Sequence, residues 1–401
     1  MLYNGGMPHL RTRHVLANIK KLASLWPLVG VLGPRQSGKT TLLSKLLGVE
    51  NMISLDEALL REEAQRSPDL FLSRLSTPVV IDEVQKAPQL FDSLKLKVDK
   101  KRVPGLYYLT GSSNFSLRIG IRESLTGRLG AVSLTPMTLA ELNQKPFFTI
   151  KDLANPTQSQ KAPRFDLSLV TKSVVSGGMP VPAFLHASEQ RHLYWSSWLD
   201  TTLHRDLPRQ FARGGYDPDL ALNLINRLAT VFGEGELPSL KHFAQNARKV
   251  RRYFSAMEDI FLLRKISCHP LGTGREVWLF FDSGLLAYLL GNTAGEANFL
   301  SLVRHFLWNE WLSHTPGLPF EKLYYKSTQG QPVDAVLNNI PFRIVGTTTG
   351  LGKQFSWEAR PLMGAMKKLG SKIGYLVGPT EIVTAPQKNN GVGILPWGMW
   401  S

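Results

Sequence analysis

Gly33-Pro34-Arg35-Gln36-Ser37-Gly38-Lys39-Thr40-Thr41 stands between an apolar run, Trp26 to Leu32, and a stretch in which Leu42, Leu43, Leu46 and Leu47 recur at helical spacing. The first eight residues fit Gly-x-x-x-x-Gly-Lys-Thr, placed between a predicted strand and a predicted helix. In that setting glycines let the backbone wrap around phosphates, whose charge faces the amides and the positive end of the following helix. Lys39 is expected to reach β- and γ-phosphates, and Thr40 to place its hydroxyl on Mg²⁺. Residues Gly33 through Thr41 are therefore the expected cradle for ATP.

Working outward, Pro78-Val-Val-Ile81 runs into Asp82-Glu83. A buried strand of a parallel sheet delivers such a pair to its C-terminal end, where these sheets bind ligands. Asp82 is expected to hold Mg²⁺ through its waters, and Glu83 to orient and polarise an attacking water. A third run, Leu106-Tyr-Tyr-Leu109, ends in Thr110-Gly-Ser112-Ser113, which suggests Ser112 as a sensor of the γ-phosphate; a turn built from Gly and Ser explains the same letters. Downstream, Arg118, Arg122 and above all Arg128 are candidates for an arginine that offsets transition-state charge. Buried strands alternating with helical stretches predict an α/β fold, a parallel sheet with helices on both faces.

The chain has 401 residues, enough for two or three domains, and its 43% hydrophobic and 19% charged content excludes a largely disordered protein. One cysteine, Cys268, excludes an intrachain disulfide framework and a thiolate zinc site. The apolar run Leu279 to Leu290 is broken by Asp282 and falls short of the roughly 20 residues of a bilayer span. No membrane helix and no secretory leader are expected, which points to a cytoplasmic location. Lys and Arg total 47 against 31 Asp and Glu, a net charge of +16 that favours polyanions, although the excess is spread over all thirds of the chain. Three regions are expected: a P-loop domain over 1–145, a helical region over 166–291, and a smaller domain of short strands over 292–401. The Lys-, Pro- and Gln-rich stretch Asn143 to Phe165 joins the first two as a linker or exposed loop.

These motifs resemble bacterial and archaeal AAA-type ATPases, domain family 14, joined to a C-terminal domain of unknown function numbered 4143. The resemblance rests on GPRQSGKTTLL (33 to 43), VVIDEVQKAPQLFDSLK (79 to 95), YLTGSSNFSL (108 to 117), ESLTGRL (123 to 129), LTPMTLAEL (134 to 142), SGGMP (176 to 180), LHRDL (203 to 207) and FFDSGLLAYLLG (280 to 291). It implies a P-loop sheet, a helical and winged-helix region, and a small restriction-nuclease-like α/β domain. By that resemblance Gly178-Met179-Pro180 is similar to an element whose proline packs on the adenine base, although a turn at a helix start reads the same. Arg205-Asp206 matches a family pattern and receives no catalytic role.

Residues 237–263 resemble the family's winged-helix segment, which places Arg248, Lys249, Arg251 and Arg252 at the start of its second helix, where they would meet DNA or serve an internal lid. The last third departs from the family. Asp334 is kept, but Pro332, Val345 and Thr347 stand where a metal-dependent nuclease would carry glutamate, glutamate and lysine. One carboxylate cannot make that site; Glu310, on a preceding helix, and Glu358, which follows, are the candidates for a rearranged one. The leading expectation is an Mg²⁺-dependent ATP-hydrolysing switch, slow without a protein partner or self-association, with an inactive nuclease-like domain. The alternatives are an ATP-regulated DNA-binding protein and an ATP-gated metal-dependent nuclease.

Overall fold

The computed structural model describes residues 10–114, 125–146, 164–211, 214–243, 246–291, 296–313, 322–328, 332–346, 353–381, 383–387 and 390–399. Two compact units emerge, one taking residues up to Thr135 together with Asp259–Phe261, the other taking Pro136–Glu258 and the chain from Leu262 onward.

The first unit is built on β1 (Leu28–Leu32), β2 (Asn51–Ser54), β3 (Val79–Asp82), β4 (Tyr107–Gly111) and β5 (Leu129–Ser133). They form one parallel sheet in the order β2-β3-β4-β1-β5. Side chains alternate across a strand, so a sheet covered on both faces needs apolar residues at every position. Two cores divide them accordingly. Leu28, Leu32, Val79, Ile81, Tyr107 and Leu109 pack on one face with Phe91 and Leu94 of the helix Leu90–Lys100. On the other face Val29, Val31, Val80, Tyr108 and Val132 meet Ile19 of the helix Val15–Ala23 and Leu42 and Leu43 beyond the P-loop. Both faces are dry, as the unbroken apolar runs of β1, β3 and β4 predict.

The second unit opens with helices Leu139–Leu142, Leu167–Ser176, Ser188–Thr201 and Pro218–Gly233, followed by Ala247–Asp259, whose last residue is counted with the first unit. Its strands are β6 (Leu263–Cys268), β7 (Val277–Phe280), β8 (Lys322–Lys326), β9 (Pro332–Leu337), β10 (Ile340–Ile344), β11 (Gly374–Gly378) and β12 (Val392–Pro396). All seven join one mixed sheet in the order β12-β11-β10-β9-β8-β6-β7. The hairpin β6–β7 is antiparallel and adds to β8 through the parallel pairs Ser267–Leu323 and Cys268–Tyr324. Helix Lys353–Leu369 crosses from β10 to its parallel neighbour β11, burying Leu362, Ala365 and Met366.

The helical expectation for 166–290 therefore fails at β6 and β7. Val277-Trp-Leu-Phe280 is buried at every position and too short for its periodicity to separate strand from helix. That hairpin also ties residues on either side of position 291 into one sheet. Among the described residues no helix is long and apolar enough to cross a membrane.

Candidate nucleotide site

β4 lies between β1 and β3, so the segments leaving the C-terminal ends of these three strands meet at one edge of the sheet. The turn after β1 closes at Gly38, whose φ of 94° lies in the region open to glycine, and the helix begins at Lys39. The first turn Lys39–Thr41 widens into a π-helical turn over Leu42–Leu46. Lys39 is buried, its ammonium donating to the Gly33 carbonyl at 3.0 Å and the Pro34 carbonyl at 2.9 Å. Arg13, also buried, braces the loop from outside, donating to the Ser37 carbonyl at 3.2 Å and to Thr135 at 2.6 Å.

Asp82 collects three hydroxyls from three different elements. Thr40 Oγ1 donates to its Oδ1 at 3.1 Å, Thr110 Oγ1 donates to the same oxygen, and Ser54 Oγ donates to Oδ2 at 3.4 Å. Glu83, only 7% exposed, has a φ of 56°, a conformation uncommon for a residue with a side chain. Its amide donates to Thr110 Oγ1 at 3.2 Å, and its carboxylate accepts from Ser112 Oγ at 2.8 Å and from Gln85 Nε2. Lys39, Thr40, Asp82, Glu83 and Ser112 are thus brought together. Beside them the buried hydroxyls of Ser37 and Ser113 and the amide oxygen of Gln85 have no hydrogen-bond partner among the described residues.

Thr110, Ser54, Gln85 and Arg13 belong to this constellation and were not nominated as site residues from the sequence. Thr110 sits one strand away from Asp82, and only the parallel pairing of β3 with β4 makes them neighbours. Arg13 precedes any motif and carries no signal of its own.

Arg128 stands apart from these residues. It immediately precedes β5, whose first residue pairs with Leu28, whereas the P-loop follows Leu32 at the other end. A five-residue strand spans roughly 16 Å, so Arg128 stands at the opposite edge from its own subunit's phosphate cradle. There its guanidinium forms a two-pronged ion pair with Asp99, at 2.6 and 2.7 Å, and holds that carboxyl below the usual carboxylate range. Arg118 and Arg122 lie outside the described residues.

Pro180 belongs to the second unit. The preceding Gly178 and Met179 amides donate to Asp282 Oδ2 at 2.9 and 3.1 Å, and the Gly178 carbonyl accepts from the Met137 amide at 2.7 Å. Asp282 also caps the helix Ser283–Leu289 through the Gly284 amide. Burial pushes its carboxyl up to about 6, against the backbone amides that favour the charged form. Gly177-Gly178 and Asp282-Ser283-Gly284 are two halves of one packed junction.

The basic cluster divides. Arg248, Lys249 and Arg251 are exposed on the first turns of Ala247–Asp259. Arg252 differs, donating to the Gly214 carbonyl at 2.8 Å with its guanidinium carbon 4.7 Å from the centre of the Phe211 ring. It is a packing residue as much as a surface cation.

The carboxylates considered for a rearranged metal site do not gather. Asp334 pairs with Arg304 at 3.1 Å and accepts from the Ile344 amide at 2.7 Å. Glu358 pairs with Arg343 at 3.0 Å, and buried Glu310 accepts from the Leu139 amide at 3.2 Å. Burial drives the Glu310 carboxyl well above the ordinary range. Among the described residues no cluster of three or more metal-ligating side chains occurs. Thr347 lies outside them.

Comparison with known proteins agrees with the geometry of the first unit. Residues 26–143 match the sequence model of an AAA domain, and residues 168–296 match a domain of unknown function, DUF8612. That second match is not the expected domain 4143, and it covers the helical region rather than the last third. Uncharacterized proteins of Mycobacterium bovis and Mycobacterium tuberculosis are each 29% identical over 296 residues, a match covering 70% of this chain and 60% of theirs. This chain spans about 60% of the length of these curated relatives. Among solved structures, a Walker-type ATPase of Pyrococcus abyssi is similar with a TM-score of 0.41 and 13% identity, covering 70% of this chain and 96% of that one. The ORC1 protein of Aeropyrum pernix in complex with DNA gives a TM-score of 0.31 at 13% identity, covering 71% of this chain and 94% of that one. The RuvB protein of Thermotoga maritima gives 0.30 at 17%, covering 65% and 91%. Residues 26–143, which match the AAA domain model, form a parallel α/β domain, and a second α/β unit follows.

Proposed function

We propose that this chain binds Mg²⁺-ATP at the edge of its five-stranded sheet and hydrolyses it as a nucleotide-driven switch. The observation that carries the reading is the convergence of the Lys39 ammonium, the Thr40–Asp82 pair and the buried Glu83 carboxylate at the ends of adjacent strands. The donor set suits the nucleotide: a buried Ser37 hydroxyl without a partner lies within the loop, and hydroxyl and carboxylate oxygens meet where a divalent cation would sit. Thr40 and Asp82 would hold Mg²⁺, which supplies neutralisation of charge on the β- and γ-phosphate oxygens.

In this reading Lys39 exchanges its two carbonyl partners for phosphate oxygens. Glu83 Oε1 accepts a hydrogen bond from the attacking water, while Ser112 and Gln85, both donating to Oε2, keep that carboxylate oriented. An arginine supplied by a second copy or a protein partner offsets charge in the transition state. Slow hydrolysis by the isolated protein follows. Glu83→Gln should retain ATP while turnover falls at least about a hundredfold, the usual scale for a lost general base. Lys39→Ala should lose binding. Unchanged turnover in Glu83→Gln would remove the carboxylate from its role.

A second reading, DNA binding, is favoured by one observation. The short turn Leu240–His242, the helix Ala247–Asp259 and the β6–β7 hairpin follow one another in the order of a winged helix, with Arg248, Lys249 and Arg251 exposed at the entering end. Nuclease activity finds no such support in the scattered carboxylates of the last third.

A further inference from the structure

The second unit holds a cavity of about 480 Å³, within the size range of small-molecule sites. Its lining includes Lys241 from the turn Leu240–His242, Arg275 from the β6–β7 loop, Arg304 from the helix Glu296–Ser313, Lys326 at the end of β8, and Asp334 of β9. Asp334 is matched by Arg304 at 3.1 Å, and Lys241 is matched by Glu236 at 3.3 Å. Arg275 and Lys326 have no carboxylate partner among the described residues. Cations gathered around one concavity repel each other, and an anion in the cavity relieves that cost.

The loop that carries Arg275 is held in place. The His269 amide donates to the Tyr324 carbonyl at 2.8 Å, the Tyr324 hydroxyl donates to the Arg275 carbonyl at 2.5 Å, and the Thr273 amide donates to the Lys326 carbonyl at 2.9 Å. The backbone that carries Arg275 and Lys326 is thereby fixed, so binding has only their side chains left to order. Another part of the wall is apolar, made by Phe232, Leu237 and Val277. Guanidinium groups favour phosphate, with two parallel hydrogen bonds available from each planar fork.

We propose that this cavity binds a small phosphorylated organic molecule, its phosphate against Arg275, Arg304 and Lys326 and its carbon skeleton along Phe232, Leu237 and Val277. The apolar wall and the limited volume favour a molecule of mononucleotide size over a polymer backbone.

The test uses full-length Lys39→Ala protein, in which the P-loop no longer contributes, titrated calorimetrically at low salt with AMP, inorganic phosphate and a short DNA duplex. The expected result is one AMP bound per chain, with inorganic phosphate at least tenfold weaker because it cannot use the apolar wall. Adding Arg275→Gln and Lys326→Gln should weaken AMP at least tenfold while the circular dichroism spectrum stays the same. Absence of AMP binding, an affinity unchanged by the double substitution, or phosphate binding as tight as AMP would overturn the proposal. So would a response to the duplex with none to AMP. Because the readout is taken without a working P-loop, failure here leaves the ATPase reading untouched, and failure of that reading leaves this one untouched.

Discussion

Thr110 performs two tasks with one hydroxyl, donating its proton to Asp82 and accepting the amide proton of Glu83. It links the residue expected to hold Mg²⁺ to the backbone that sets the Glu83 carboxylate in its unusual conformation. Thr110→Val keeps the shape and removes both bonds, leaving the Glu83 amide buried without an acceptor, a cost of about 1–3 kcal/mol. The expected outcome is a folded protein with reduced kcat and near-normal ATP affinity, measured by steady-state hydrolysis beside nucleotide titration. An unchanged kcat would show that Glu83 needs no such support. Lys39, Thr40, Asp82, Glu83 and Ser112 were legible because each lies within a contiguous motif at the end of an apolar run. Thr110, Ser54 and Gln85 were harder to nominate, since their roles follow from strand register, and nearness in sequence does not tell which end of β5 Arg128 occupies.

At the scale of elements, the junction of Gly177-Gly178 with Asp282 accounts for both glycines by packing. Its letters match an adenine-contact element, yet these positions have a packing explanation of their own. A Cβ on Gly178 would lie 2.1 Å from the Met137 carbonyl oxygen, and one on Gly177 would strike the Asp282 carboxylate. Gly178→Ala should destabilise the second unit by about 1–3 kcal/mol, the range for overpacking, visible as a lower Tm. Asp282 adds a pH dependence. Its folded pKa of about 6 lies above the ordinary aspartate value of 3.8, so the stability it contributes is full below pH 3.8 and is lost as pH rises through 6, on the order of 3 kcal/mol. Asp282→Asn should flatten that part of the stability profile measured by urea unfolding between pH 4 and 6.5, and an unaltered slope would assign the titration elsewhere. His305, buried and pushed down to about 3, acts with the opposite sign, losing stability as pH falls below 6.5, and stays constant in this comparison. The hairpin β6–β7 escaped the sequence reading because four apolar residues in a row fit a buried helix and a buried strand equally.

For the whole molecule the open question is whether its charge of +16 acts as a diffuse cloud or through one face. A localised face would release counterions in proportion to the phosphates it neutralises, with a slope of about 0.9 per contact on a logarithmic salt plot for duplex DNA. Arg248, Lys249 and Arg251 stand exposed on adjacent turns of one helix, whereas Arg252 is engaged with Phe211 and Gly214. Replacing the three exposed residues with glutamine should therefore lower the slope by nearly 3, while Arg252→Gln should act mainly on stability. If the triple variant keeps the parent slope, the diffuse charge is responsible and the helix is an internal arm. Cleavage is not expected in either case. Asp334 is committed to Arg304 and the Ile344 amide, Glu358 to Arg343, and Glu310 to the Leu139 amide, so a divalent cation would have to break an ion pair or a buried cap to gain each ligand. Supercoiled plasmid incubated with the protein in Mg²⁺ or Mn²⁺, with and without ATP, should remain supercoiled. Nicking that disappears in Asp334→Asn would mean that Asp334 exchanges Arg304 for a metal, and would return this domain to catalysis.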